Sequence, residues 1–175
     1  MEVFLIRHTT PVFEPGLIYG RKELVLDAGF PLELEAVRSE LNGGFEILYS
    51  SPALRCTELA RALSPEFIVD NRLQELDFGE WEGKTWDTVD QPALQAWMDD
   101  YVNVSTPGGE SMMQMYARVS EFWEELGQSD YEKVAIVTHA GVIRLILSIV
   151  NQMVLTSIFD IKVAYGEVVR VRFNG

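Results

Sequence analysis

Short apolar runs alternate along this sequence with longer stretches of helical spacing, and that alternation restricts the fold more than any other feature. Glu2-Val3-Phe4-Leu5-Ile6 stops at a polar pair and reads as a buried strand. Leu32 to Leu41 has the helical period and ends at Asn42-Gly43-Gly44. Phe45 to Tyr49 is strand-like. Ser50-Ser51-Pro52 then opens a helix through Leu63, with Ser51 expected as the N-cap and Pro52 at the first helical position. Phe67-Ile68-Val69 is a further short strand. Glu110 to Gly127 reads as a helix launched from the turn Pro107-Gly108-Gly109. Lys133 to Thr138 is a strongly apolar strand, and Gly141 to Val150 the helix after it. Two late β-rich runs, Ile158 to Val163 and Glu167 to Phe173, are expected to close the sheet. Such alternation predicts an α/β sandwich with a largely parallel sheet. No internal repeat, low-complexity tract or linker interrupts it, so a single domain over residues 1–175 is expected.

Bulk properties exclude several classes. The chain is long enough to bury a proper core. Its best apolar run, Val142 to Val154, is broken by Arg144, Asn151 and Gln152, which predicts no membrane partner. The N-terminus has no export pattern, and Cys56 is the only cysteine, so a reducing, cytoplasmic setting is expected. Twenty-seven acidic against fourteen basic residues give a net charge of −13, a field that repels nucleic-acid backbones and predicts no nucleic-acid partner. A small phosphorylated ligand remains compatible, because clustered arginines can reverse the potential locally. The oligomeric state is not set by anything in the sequence.

In open α/β sheets the ligand site lies beyond the carboxyl ends of the strands. Three polar clusters fall at such places: Arg7-His8, Ser50 to Arg55, and Thr138-His139-Ala140-Gly141. The chain has only two histidines, and each directly follows a core strand. One such histidine is as readily a hydrogen-bonded structural residue; two of two, with an arginine beside one, point to function.

The segments Leu5-Ile6-Arg7-His8-Thr9, Ser50-Ser51-Pro52-Ala53-Leu54-Arg55-Cys56-Thr57, Leu73-Gln74-Glu75-Leu76-Asp77-Phe78-Gly79-Glu80-Trp81-Glu82-Gly83, Pro107-Gly108-Gly109-Glu110-Ser111 and Val137-Thr138-His139-Ala140-Gly141-Val142-Ile143-Arg144 carry a family likeness. Together they resemble the ordered motifs of the histidine phosphatase, or phosphoglycerate mutase-like, superfamily. They run from near the first residue to beyond residue 140. Within that superfamily Arg7-His8-Thr9-Thr10-Pro11, followed by Tyr19-Gly20-Arg21, is most similar to the α-ribazole phosphatases of cobalamin synthesis. Many members have Gly in place of Thr9 and Thr in place of Pro11; the departure leaves phosphohistidine chemistry untouched and points away from a mutase.

The resemblance implies a three-layer α/β/α sandwich around a mostly parallel mixed sheet. It also implies a metal-independent phosphatase, without a cofactor, acting on a small phosphorylated substrate. His8 becomes the nucleophile, attacking as neutral imidazole. Arg7, Arg55 and His139 hold the phosphoryl oxygens, with Ala140 beside them and the N-terminus of the helix after Pro52 adding positive potential. The glycine that follows, Gly141, is expected to let the backbone approach the phosphate closely. Spacing alone does not choose the proton carrier among Glu75, Asp77, Glu80 and Glu82; the resemblance picks Glu75, leaving Glu80 and Glu82 solvated or capping. Tyr19 and Arg21 fall where substrate-facing residues are expected. Trp86, or Trp97, is a candidate wall for a flat base, although aromatic residues usually serve the core. Arg61 and Arg144 read as surface or capping residues. α-Ribazole 5′-phosphate leads the substrates, followed by a broad-specificity phosphatase, a mutase-type transferase and a non-catalytic phospho-ligand binder. The short chain leaves little room for a mutase's capping insertions.

Overall fold

The computed structural model describes residues 1–173. Five strands form one mixed sheet in the order β3-β2-β4-β1-β5. β1 (Glu2–Arg7) and β4 (Lys133–Thr138) lie parallel at its centre, β2 (Ile47–Ser50) runs parallel to β4, and the short β3 (Ile68–Val69) runs parallel to β2. β5 (Val168–Arg172) pairs antiparallel with β1 and makes the sheet mixed.

Strand periodicity splits the core into two layers. Val3, Leu5, Val134 and Ile136 face one side of the sheet. There they meet α4 (Met112–Gly127) and α5 (Ala140–Val150). Phe4, Ile6, Ala135 and Val137 face the other side, against α1 (Phe30–Glu40) and α2 (Leu54–Leu63). The expected three-layer α/β/α sandwich is the observed architecture. α4 begins with a capping box: Ser111 Oγ accepts from Gln114 N at 3.2 Å, and Gln114 Oε1 accepts from Ser111 N at 2.8 Å.

Three local expectations change. The helix after Pro52 starts at Leu54, with Ala53 and not Ser51 at the N-cap, and Pro52 lies outside it. Leu54 N–H donates to Glu23 Oε2 at 2.8 Å, so a carboxylate from the preceding loop caps the helix. The run Ile158 to Val163 is not a strand; Leu155–Asp160 is a 3-10 helix instead. Leu155, Ile158 and Ile161 recur every third residue, the 3-10 period, and all pack onto the core. β5 already occupies the outer flank of β1, so no open edge beside β1 is left for another strand. Finally, α3 (Gln91–Asp99) was not expected, although Asp90 and Pro92 supply its start: Asp90 Oδ2 accepts from Ala93 N at 2.9 Å.

Register positions the chemistry. Arg7 pairs with Thr138 as the last rung between β1 and β4, which puts His8 and His139 one residue beyond it, side by side. Ser51 leaves the end of the neighbouring β2, its N–H donating to Val137 O at 2.9 Å.

Candidate active site

His8, Arg55 and His139 are all buried, and the structure brings them together at the carboxyl ends of β1, β2 and β4. The two imidazole rings meet edge to face with centroids 5.3 Å apart. His8 Nδ1 lies 2.8 Å from Thr9 O, which can only accept, so Nδ1 carries the proton. Nε2 therefore presents its lone pair, and Arg55 Nε donates to it at 3.3 Å. Burial first, and the Arg55 charge second, push the His8 pKa down to about 3, leaving a neutral ring with a bare nitrogen.

Arg55 is a helical arginine turned inward to zero exposure. It donates to Gly20 O at 2.5 Å, to Lys22 O at 2.9 Å and to His139 Nδ1 at 3.3 Å. Arg7 donates to Val163 O at 2.6 Å and lies under the Tyr165 ring, 3.7 Å from its centroid. Among the described residues, neither Arg7 nor Arg55 has a carboxylate within ion-pair distance. Buried charges are normally paired, so the buried Arg55 and the half-buried Arg7 hold positive potential that no described carboxylate neutralises.

His139 sits at the N-cap of α5, with its Nε2 2.8 Å from Ser51 Oγ. Burial, then Arg55, lowers its pKa well below the ordinary imidazole value. Ser51 thus serves His139 rather than the helix. Cys56 packs below the same ring at 3.6 Å, its thiol pushed up to about 12 by burial and inert as a nucleophile. Ala140 opens α5, where the helix dipole is positive.

Glu75 reaches the site from the segment after the 3-10 helix Asn71–Leu73. Its Oε2 accepts from Gly141 N at 3.1 Å and its Oε1 from Leu76 N at 2.9 Å. A Cβ on residue 141 would lie 2.1 Å from Glu75 Oε1, so the glycine makes room for this carboxylate; the expected close approach to a ligand is an approach to Glu75. Glu75 lines two small cavities. One, about 50 Å³, also touches Arg21 and His139. The other, about 100 Å³, is walled by Tyr19, Leu76, Phe78, Met112, Met115 and Phe159, with Arg144 at its border. Among the described residues, no three His, Cys, Asp or Glu side chains converge to hold a metal ion.

The peripheral expectations divide. Tyr19 lines the larger cavity, and its hydroxyl hydrogen-bonds that of Tyr165. Tyr165 stacks near His8, 5.5 Å between centroids. Arg21 lines the smaller cavity and pairs with Asp77 and Glu110, both at 3.3 Å. Trp86 does not line the larger cavity; it packs behind Phe78, 6.0 Å away, and stacks on Trp97. Arg144 is not a surface residue: Nε donates to Ile161 O at 2.9 Å beside the cavity. Glu82 is not merely solvated either. Its carboxylate accepts the backbone N–H groups of Gly20, Arg21, Lys22 and Phe78 at 2.9–3.2 Å. Tyr165 and Arg118 were missed; neither lies in a recognisable motif.

The family model of the histidine phosphatase superfamily (branch 1) matches residues 3–175. A protein of Hydrogenobacter thermophilus named as a candidate phosphoserine phosphatase 2 is 29% identical, over 99% of this chain and 90% of its own. The adenosylcobalamin/alpha-ribazole phosphatase of Escherichia coli K12 is 26% identical, over 95% of this chain and 87% of its own. The crystal structure of the alpha-ribazole phosphatase from Shigella flexneri has the same fold, with a TM-score of 0.89 at 24% identity, covering 99% of this chain and 91% of that one.

Proposed function

Because the chain belongs to the histidine phosphatase superfamily and is a phosphatase, we propose that it hydrolyses phosphomonoesters through a phosphohistidine on His8 Nε2, with α-ribazole 5′-phosphate as its substrate. The observation that carries this reading is the neutral, buried His8 whose bare Nε2 faces an arginine that, among the described residues, has no carboxylate partner.

The phosphoryl group brings about two negative charges, which Arg55 and Arg7 neutralise. Arg7 Nε, a buried donor with no partner among the described residues, adds a further bond. The Ser51 hydroxyl serves either neutral tautomer of His139, accepting from Nε2–H or donating to a bare Nε2. When Arg55 Nη2, which donates to Nδ1 at 3.3 Å, turns to the phosphoryl group instead, His139 takes the second tautomer and its Nδ1–H donates to a phosphoryl oxygen. His8 Nε2 attacks phosphorus, the P–O ester bond breaks, and the Glu75 carboxyl gives its proton to the leaving oxygen. The resulting Glu75 carboxylate takes a proton from water as that water attacks phosphorus, which breaks the N–P bond and releases phosphate. Charge is spread over arginines and a helix N-terminus, positioned before the reaction begins.

The substrate reading rests on the apolar cavity beside Glu75. Its walls of Tyr19, Phe78, Phe159, Met112 and Met115 suit a flat, apolar leaving group, which they would bury and stack against. A second reading, phosphoserine, draws on the Arg144 guanidinium at the same cavity and on the name of the Hydrogenobacter relative. The test is kcat/KM for α-ribazole 5′-phosphate, phosphoserine and sugar phosphates, with quenching in alkaline detergent to trap phosphoenzyme. α-Ribazole 5′-phosphate is expected to lead by at least about tenfold, the worth of one well-placed apolar contact. Equal efficiency across the panel removes the assignment, and absence of an acid-labile phosphoenzyme removes the mechanism.

A further inference from the structure

We propose that Arg118, clamped by Glu110, is a positioning residue that fixes Glu75 for proton transfer; the proposal rests on Glu75 as the proton carrier. Residues 72–77 comprise the end of the 3-10 helix Asn71–Leu73 and the loop after it, with no α-helix or strand ladder to hold them in place. Their backbone is held instead by side chains. Arg118 Nη1 donates to Arg72 O and Gln74 O, both at 2.7 Å, and Nη2 donates to Glu75 O at 3.1 Å. Thr138 Oγ1 donates to the carbonyl between them, Leu73 O, at 2.7 Å. Four successive carbonyls are thus tied down, three of them by one guanidinium.

Glu110 fixes that guanidinium from the other side. Its Oε2 accepts from Arg118 Nε at 3.2 Å and its Oε1 from Nη2 at 2.5 Å. The same Oε1 accepts from Asp77 N at 3.1 Å. The pair therefore grips the chain on both sides of Glu75, by a carbonyl at residue 75 and an amide at residue 77. Among the described residues, the Glu75 carboxylate itself is held only by two backbone N–H groups, its neighbour's and that of Gly141. Its aim follows the backbone that Arg118 sets. A lysine keeps the charge but loses the planar fork that serves three carbonyls and a carboxylate together.

The test uses leaving groups. p-Nitrophenolate departs as a stable anion and needs little protonation, whereas an alkoxide needs the proton from Glu75. Arg118→Lys is expected to lower kcat/KM on glycerol phosphate by about 10- to 100-fold, as a misplacement near 1 Å would, but by less than about threefold on p-nitrophenyl phosphate. Inhibition by inorganic phosphate should stay unchanged, because Arg7, His8 and Arg55 are untouched. Glu110→Gln, which leaves the carbonyl bonds in place, should show the same selectivity at smaller size and covers the case in which Arg118→Lys does not fold. Equal losses on both esters, or none, overturn the positioning role while Glu75→Gln keeps its selectivity. A Glu75→Gln enzyme without leaving-group selectivity overturns the proton-carrier reading and this proposal with it.

Discussion

At the scale of single residues, the decisive fact is which nitrogen of His8 holds its proton. One carbonyl, Thr9 O, settles that and leaves Nε2 bare. The same burial that keeps the ring neutral makes the fold sensitive to acid. The unfolded chain takes up a proton on His8 below 6.5, whereas the folded ring does so only near 3. Between those values the unfolded state binds more protons, so stability falls as pH falls, by up to about 1.4 kcal/mol per pH unit for this one ring. Urea unfolding of wild type and His8→Asn between about pH 4 and pH 7 should therefore show a shallower pH slope in the variant. Identical slopes would mean that His8 titrates normally in the folded protein. His139, lowered in the same direction, adds to the wild-type slope in the same window.

At the scale of elements, the loop 20–22 is held from both sides. Glu82 accepts its three N–H groups, while Arg55 donates to two of its carbonyls. A Cβ on Gly20 would fall 1.8 Å from Leu76 O, so the loop also lies hard against the Glu75 segment. Glu82→Gln replaces one acceptor oxygen by a donor and leaves backbone amides unserved. It should weaken inhibition by inorganic phosphate by about tenfold and cost about 1–3 kcal/mol of stability. A stability loss with an unchanged inhibition constant would confine Glu82 to the scaffold. This grip was invisible in the sequence, because Glu82 meets amides from a distant segment and a carboxylate among other carboxylates carries no mark of that. The start of α2 was misread for a related reason. Ser51 and Pro52 have the right local chemistry for a cap, but His139 takes the serine hydroxyl and Glu23 takes the first free amide. By contrast β1, β4 and α5 were legible, since uninterrupted apolar residues leave burial as the only outcome. So were His8 and His139, which follow β1 and β4 directly, and Arg55, which lies in the first turn of α2 although that helix starts later than expected. Tyr165 had no such anchor, lying in a loop whose path is set by packing against Arg7.

At the scale of the whole molecule, the sheet separates stability from chemistry. Residues facing the two helical layers carry the core, while His8 and His139 stand just beyond the strand ends. Ile136 is fully buried in the middle of β4. Ile136→Ala should cost about 2–5 kcal/mol and leave the turnover of the folded fraction as it was. Calorimetry beside an activity assay decides it; a turnover loss beyond the unfolded fraction would show that the strand centre tunes the site. The rung between Arg7 and Thr138 has a consequence of its own. It acts as a ruler: the gap between the His8 and His139 positions is measured in backbone hydrogen bonds, which no side-chain exchange can lengthen. Tyr19, Arg21 and Phe159, which line the cavities beside Glu75, and Tyr165, which packs beside His8, hang on the connections 8–29 and 151–167 outside that ruler. A lineage built this way can change its diet by rewriting those connections and never has to recalibrate the reaction.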